Sequence, residues 1–235
     1  MGIWVEVCQR AGIKIDGIVD SDYYGNTETY KGIPVVGSEK DMDHVLSLCQ
    51  VTVGQTHSRT VWNNTFFIAT NWDPSGLLPE RDNEKRELFK KIVEEYKLPL
   101  QNIIDPSAVI GVGVSLGGGN YVGAGAIIES EVTIGKHTQI WYQSIVGHHI
   151  TVGEDTVLQR RTGVWGADIG NHVYLGIGAI YGGNYKTSHV GDGAWIHPGL
   201  AVAGRKIEAG ETVTIREQIR QRRTQTVGSF DSEAL

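Results

Sequence analysis

The sequence predicts two unlike parts: a small α/β domain at the N-terminus, followed by a parallel β-helix built from six-residue repeats. Two observations predict the β-helix. Aliphatic residues recur at every sixth position from Ile110 to Val164, and glycine is abundant, at 31 of 235 residues. A third observation, the alternation of strand-like and helix-like segments before residue 105, predicts the α/β domain.

The six-residue repeat is regular over ten steps. The positions are Ile110, Leu116, Val122, Ile128, Ile134, Ile140, Val146, Val152, Leu158 and Val164, and glycine follows six of them. A period of six fits short strands joined by tight corners, each strand pointing one aliphatic side chain inward. Three hexapeptides make a triangular coil of about eighteen residues, so residues 106–213 predict about five to six coils. A glycine-rich antiparallel sandwich would show a period of two instead.

The first 105 residues lack this repeat. Segments 13–20, 32–37 and 50–54 have the apolar character of strands, and segment 41–49 that of a helix. Strands alternating with helices predict a parallel sheet. The apolar spacing between Glu80 and Lys97 predicts an amphipathic helix that leads into the repeats. Residues 214–235 form a polar C-terminal tail.

Composition and sequence patterns limit the partners and the cellular compartment that we expect for the protein. The net charge is −6, from 21 basic and 27 acidic residues, which gives no indication of a nucleic-acid or membrane partner. No apolar run reaches the roughly 18 residues that span a bilayer, and the first residues do not resemble a signal peptide. Cys8 and Cys49 are too few for a disulfide framework. We therefore expect a cytoplasmic protein.

The order of small α/β domain, connecting helix, Asp105-Pro106-Ser107-Ala108 and hexapeptides resembles the hexapeptide-repeat sugar O- and N-acetyltransferases. That group contains the sialic-acid O-acetyltransferases and the N-acetyltransferases of bacillosamine- and perosamine-type nucleotide sugars. The matching N-terminal segments are 16–20, 31–38 and 51–54. The resemblance implies a left-handed β-helix, acetyl-CoA as co-substrate without a metal, a sugar or nucleotide-linked amino sugar as acceptor, and a homotrimer with its sites between chains.

The N-terminal domain departs from this family. Its members open with a strand and a glycine-rich turn near the nucleotide, whereas this sequence contains no G-x-G-x-x-G and begins where the first helix is expected. Residues 1–105 are therefore predicted to form a truncated Rossmann-like domain. Asp20 and Asp22, in the acidic loop after the first strand, are the candidate substrate-binding residues.

Acyl transfer from a thioester needs a base for the attacking group and a donor for the oxyanion that forms. In the resembled family the base histidine follows the inward aliphatic residue by two positions, which implies His148 after Val146. His149 stands where the family has an acidic residue and is the second catalytic candidate. Because an imidazole supplies no fixed negative charge, we expect His148 to be a weaker base than in the family. Without the resemblance, both histidines read as exposed corner residues.

The resemblance also implies residues that bind the cofactor. Gly166 lies eighteen residues after His148, hence one coil further on the same face, where its N–H could meet the acetyl oxygen. Gly199 matches a later cofactor-contacting glycine. Lys186, in the interruption between Tyr181 and His189, could contact a phosphate of coenzyme A. The family's second histidine is replaced by Val157.

Two other functions compete with catalysis by His148. The missing glycine-rich turn, acidic neighbour and second histidine also fit a non-catalytic scaffold or regulatory relative. A trimeric zinc carbonic anhydrase would need three histidines converging between subunits. The spacing of His148, His149, His172 and His189 does not favour such a site.

Overall fold

The computed structural model describes residues 2–19, 24–38, 40–41, 50–53, 59–62, 80–184 and 188–216. The chain divides into two compact units, Met1–Pro106 and Ser107–Leu235. Within the described ranges, no helix is both long enough and apolar enough to cross a membrane.

The described residues of the first unit form two helices and six short strands. They are α1 (Gly2–Arg10), β1 (Ile18–Val19), β2 (Thr29–Tyr30), β3 (Ile33–Gly37), β4 (Gln50–Val53), β5 (Arg59–Trp62), α2 (Glu80–Glu95) and β6 (Ile103–Ile104). The predicted connecting helix is α2, and three predicted strands coincide with β1, β3 and β4. The predicted helix at 41–49 lies outside the described residues apart from Asp41.

The described sheet of this unit is mixed, not wholly parallel as predicted. Strand β1 pairs with β3 in parallel, whereas β2 and β3 are antiparallel. Lys31 and Gly32 join β2 to β3 and both have positive φ, 50° and 78°. Two central residues of positive φ are typical of a two-residue hairpin turn, which makes the flanking strands antiparallel. Strands β4 and β5 form a separate antiparallel pair.

Helix α2 and its C-terminal end build the larger described core cluster of this unit. Ile92, Val93 and Leu98 are buried together, with Phe89 and Tyr96 packed against them. The apolar positions recur every three to four residues, so one helical face is buried, and Arg86, at 1% exposure, is buried as well.

The second unit is a parallel β-solenoid. Its strands are β7 (Val109–Ile110), β8 (Ser115–Leu116), β9 (Tyr121–Val122), β10 (Ile127–Ile128), β11 (Thr133–Ile134), β12 (Gln139–Ile140), β13 (Ile145–Val146), β14 (Thr151–Val152), β15 (Val157–Leu158), β16 (Gly163–Trp165), β17 (Asp168–Ile169), β18 (Tyr174–Leu175), β19 (Ile180–Gly182), β20 (His189–Val190), β21 (Trp195–Ile196), β22 (Ala201–Ala203) and β23 (Thr212–Val213).

These strands form three faces. The first face contains β7, β10, β13, β16, β19 and β22, and the second contains β8, β11, β14, β17 and β20. The third face of this unit contains β9, β12, β15, β18, β21 and β23. An isolated parallel bridge between Val190 and Ile207 supplies a sixth position on the second face. The unit therefore has six coils, and the predicted solenoid of hexapeptides is confirmed.

The inward aliphatic residues of the repeat form the core of the solenoid. From the second coil to the fifth, they are at most 2% exposed: Ile128, Ile134, Ile140, Val146, Val152, Leu158, Val164, Ile169, Leu175, Val190 and Ile196. Tyr181 also points inward and is fully buried. Since Tyr181 pairs with Val164 in register, the predicted interruption begins after strand β19.

Successive coils are eighteen residues apart at first, and the spacing then shortens. Ile128 pairs with Val146, but Val152 pairs with Ile169, which is one residue fewer. The missing residue falls at the corner between the first and second faces. Between Ile169 and Val190 the spacing is longer, because the interruption lies there. The described residues on either side of the interruption are hydrogen-bonded to each other, since Ser188 N–H donates to Asn184 O over 2.8 Å.

The last coil is held by a charged pair. Arg205 Nη2 lies 2.6 Å from Glu211 Oε1, and Glu208 N–H donates to Glu211 Oε2 over 2.9 Å. Burial alone would raise the pKa of Glu211, but the hydrogen bonds from Arg205 and Glu208, with the guanidinium charge, lower it overall. Described residues end at Arg216, so the rest of the predicted tail lies beyond them.

Candidate functional site

The two predicted catalytic histidines lie at the corner that follows strand β13. Val146 points into the core, Gly147 follows, and His148 and His149 are both exposed. His149 has a left-handed backbone, with φ of 57°, as does Glu131 at the same corner one coil earlier, with φ of 58°. The corner thus turns the chain and leaves both imidazoles on the outside of the solenoid.

The two imidazoles contact each other directly. Their Nδ1 atoms are 3.0 Å apart, and the ring planes are nearly perpendicular, at 88°. One Nδ1 must carry the proton and the other must accept it. When His148 donates from Nδ1, its Nε2 is unprotonated and can act as a base. His149 can therefore orient His148 as an acceptor, although it brings no fixed negative charge.

A carboxylate from the preceding coil completes this corner. Glu129 is exposed, and its Oε2 accepts a hydrogen bond from the backbone N–H of His148 over 3.0 Å. The sequence analysis did not identify Glu129. The signal was available, because Ile128 pairs with Val146 in register and Glu129 is therefore the neighbour of Gly147, eighteen residues earlier.

An indole from the following coil lies on the other side of Gly147. A Cβ built on Gly147 would lie 2.8 Å from the Cβ of Trp165, so these two residues are stacked from coil to coil. Trp165 is 47% exposed. Glu129 and Trp165 thus flank Gly147, about 9–10 Å apart along the solenoid axis. The same step of eighteen residues would have found Trp165, which the sequence analysis also missed.

Gly166 lies one coil beyond His148, as the coil arithmetic predicted. Its φ is 67°, and a Cβ there would lie 2.5 Å from the carbonyl oxygen of Gly183. A side chain at this position is excluded by both the backbone conformation and the neighbouring coil. Glycine is therefore required here for structural reasons alone.

The N–H of Gly166 is exceptional among the corners of the solenoid. From the second coil onward, corner residues of positive φ donate their N–H to a carbonyl of the preceding coil, as Glu131 does to Val112 and His149 does to Ser130. Gly166 makes no such bond to any residue within the described ranges. Gly204, at the equally short corner of the last coil, does donate its N–H to Gly182 O over 2.9 Å, so the short corner alone does not explain the difference. Gly166 is itself buried, and its N–H is thus a buried donor one coil from His148.

The other predicted cofactor and substrate residues do not join this cluster. Gly199 has positive φ, but it lies at the corner between the third and first faces, and its N–H donates to Ile177 O over 2.8 Å. Lys186, Asp20 and Asp22 lie outside the described residues. The structure thus brings together His148, His149 and Gly166, but not Gly199.

Further ionisable groups occur elsewhere on the solenoid. His172 Nδ1 is 3.9 Å from Asp155 Oδ2 at the corner between the second and third faces. Val157, at the place of the family's second histidine, is buried. In the part of the chain that the structure describes, no group of three or more His, Cys, Asp or Glu side chains is placed to hold a metal ion.

No protein-family model matches the chain, and no curated protein matches its sequence. Solved structures do match. WeeI from Acinetobacter baumannii superposes with a TM-score of 0.67 at 21% identity, over 92% of this chain and 91% of its own. A histidine-to-alanine mutant of GDP-perosamine N-acetyltransferase from Caulobacter crescentus, in complex with CoA and GDP-perosamine, gives 0.65 at 23% identity, over 88% and 85%.

The acetyltransferase domain of PglB from Neisseria gonorrhoeae gives a TM-score of 0.62 at 16% identity, over 88% of both chains. Identities this low establish a common fold and nothing more. The chain therefore has the fold of these acetyltransferase structures over most of its length, and the resemblance inferred from the sequence is confirmed at the level of fold.

Proposed function

We propose that this protein is an acetyl-CoA-dependent acetyltransferase acting on a sugar or a nucleotide-linked amino sugar, with His148 as general base. One observation carries the proposal: the N–H of Gly166 lacks a coil-to-coil acceptor among the described residues and lies one coil from the exposed His148–His149 pair. A free donor next to an oriented imidazole is the pair of groups that acyl transfer requires. Two of the fold relatives are acetyltransferases, and one is bound to CoA and GDP-perosamine.

The reaction is direct transfer within a ternary complex. His148 Nε2 takes the proton of the acceptor's amine or hydroxyl while that group attacks the thioester carbonyl carbon. The carbonyl oxygen becomes an oxyanion and accepts a hydrogen bond from the N–H of Gly166. When the tetrahedral intermediate collapses, the carbon–sulfur bond breaks, and the thiolate of CoA takes the proton from His148.

The charge that His149 lacks is supplied by Glu129. His149 Nδ1 accepts from His148 and keeps its ring in one tautomer and orientation. The Glu129 carboxylate, fixed to the backbone of His148, places a negative charge beside the imidazolium that forms during the reaction. The carboxylate at this corner thus comes from the preceding coil and not from the next residue in the sequence.

The first face of the solenoid supports a homotrimer of left-handed helices with sites between chains. The outward positions of its strands are all apolar or glycine: Val109, Ile127, Ile145, Gly163, Ile180 and Ala201. The four isoleucine and valine side chains before and after Gly163 are 37–56% exposed. On the second face the matching positions are polar, as at Ser115, Thr133 and Thr151. An apolar sheet face of this size favours burial against a second copy.

Three of the remaining assignments of the proposal, Asp20, Asp22 and Lys186, lie outside the described residues. We keep Asp20 and Asp22 as candidate acceptor-binding residues and Lys186 as a candidate phosphate contact. Gly199 stays a cofactor candidate only if a neighbouring chain brings its corner to the His148 site. The cytoplasmic location remains a prediction from the sequence.

Replacing the proposed base tests this function. Thiol release from acetyl-CoA is measured with a panel of free and nucleotide-linked amino sugars, comparing the parent protein with His148→Ala. We expect a loss of at least about 100-fold in kcat, because a positioned general base contributes 10²–10⁴-fold. His172→Ala, an exposed corner histidine on another corner, is the matched control and should retain activity.

Parent activity that survives His148→Ala would remove the catalytic assignment. A parent protein that binds acetyl-CoA but releases no thiol with any acceptor would instead favour the non-catalytic scaffold.

A further inference from the structure

Trp165 is exposed on one side and closely packed on the other. Its indole lies on the backbone of Gly163, in its own strand, and of Gly182, in the next coil. A Cβ on Gly182 would lie 2.8 Å from the indole Nε1, and one on Gly163 would lie 3.1 Å from Cζ3. Glycine at both positions thus makes room for the indole, and a side chain at Gly182 would displace it.

This glycine shelf lies within the apolar first face. Gly163 pairs in register with Ile145 on one side and Ile180 on the other, and both isoleucines are outward and partly exposed, at 43% and 38%. A glycine between two isoleucines leaves a depression with a backbone floor and aliphatic walls. The indole of Trp165 fills the end of this depression that lies towards the histidine corner.

The depression leads to the proposed acyl site. Trp165 is followed directly by Gly166, whose N–H is the proposed oxyanion donor. A thioester carbonyl held by that N–H places the acyl carbon beside the indole. A two-carbon acyl group ends there, whereas a longer one would have to enter the space that the indole occupies.

We propose that Trp165 restricts the acyl group to two carbons by closing this apolar depression. The inference rests on the proposed function, since it needs an acyl donor at Gly166. Replacing Trp165 by alanine removes the indole and leaves a trough floored by Gly163 and Gly182. An acyl chain that enters the trough gains about fourfold in affinity for each buried methylene.

The experiment compares binding of CoA, acetyl-CoA and butyryl-CoA to the parent protein and to Trp165→Ala, measured calorimetrically without acceptor. We expect the parent to bind acetyl-CoA more tightly than butyryl-CoA. In Trp165→Ala the ratio of butyryl-CoA to acetyl-CoA affinity should rise by about 15-fold, from two buried methylenes. The matched control is Trp195→Ala, because Trp195 lies on the third face and stacks on His197 at 4.5 Å. Its ratio should equal that of the parent.

The possible outcomes separate the two proposals. If the parent binds acetyl-CoA and the ratio is unchanged in Trp165→Ala, whether or not its oligomeric state changes, the inference about Trp165 is overturned and the proposed function stands. If the parent binds neither CoA nor either of its two thioesters, the proposed function fails and the inference fails with it. A rise in the ratio supports the inference even if total affinity falls, because misfolding cannot create a preference for the longer chain.

Discussion

At the scale of single residues, the histidine corner has no acidic residue next to His148 in the sequence, but a neighbouring coil brings one close in space. His149 occupies the position of an acidic residue and contacts His148 through nitrogen only. Glu129 stands one coil away and is bound to the same backbone. The carboxylate at the His148 corner therefore comes from a residue adjacent in space and not from the residue adjacent in sequence.

The charge of Glu129 can be removed while its hydrogen bond is kept. In Glu129→Gln the amide oxygen can still accept the N–H of His148, so the corner should keep its shape. We expect kcat to fall about tenfold, or about 1.4 kcal/mol in the activation free energy, with little change in KM, because the amide brings no negative charge to the imidazolium that forms during the reaction. Glu131→Gln, two residues further along and also exposed, is the control. Equal kcat values for the two variants and the parent would show that Glu129 takes no part.

Some residues of this corner could be predicted from the sequence, and others could not. His148 followed from its distance to Val146 and from the family resemblance, and Gly166 followed from the coil length. Glu129 and Trp165 obey the same arithmetic but belong to no motif, because their roles depend only on stacking beside Gly147. The Nδ1 contact between the histidines depends on side-chain torsions, which a spacing argument does not contain.

At the scale of elements, the corners determine how the solenoid tolerates substitution. Gly166 and Gly178 have nearly equal φ, 67° and 68°, but only Gly166 faces a neighbouring coil, since nothing lies within 4 Å of a Cβ on Gly178. Gly178→Ala should lower the free energy of unfolding by about 1–2 kcal/mol, the cost of a left-handed backbone. Gly166→Ala should lower it further, because its methyl group collides with Gly183 O.

Urea denaturation followed by circular dichroism measures this difference. Equal midpoints for the two variants would mean that the coil around Gly183 relaxes without cost, and that the requirement for glycine at 166 is conformational only.

The elements of the two units differed in how well the sequence predicted them. In the solenoid, a single period fixes strand length, inward positions and register together, so Ile134 and Leu158 were placed correctly. In the first unit the strands are short and their partners are set by turns. The positive φ of Lys31 made an antiparallel hairpin that the alternation of strands and helices did not predict.

At the scale of the whole molecule, the apolar first face is the feature that a homotrimer would use. Ile127 is 37% exposed on that face and lies one coil before the histidine corner. Ile127→Lys should place a charge in the proposed interface and shift the protein to monomers, with loss of acetyl transfer because the proposed site lies between two chains.

Analytical ultracentrifugation shows whether the trimer is lost. Thr133→Lys is the control, since Thr133 is exposed on the polar second face and should leave the assembly unchanged. A parent protein that sediments as a monomer, or an Ile127→Lys variant that remains a trimer, would contradict the assignment of this face.

The solenoid is a repeating stack in which the corner of Gly166 is one residue shorter than the corners of the first three coils. In a fully regular stack, every corner N–H would donate to a carbonyl of the preceding coil and would not be available to a ligand. Inserting one residue at this corner would restore the coil spacing of eighteen residues there. The N–H of Gly166 would then donate to a carbonyl of the preceding coil. The corner that departs from the repeat is therefore also the one to which we assign the binding of the acyl group.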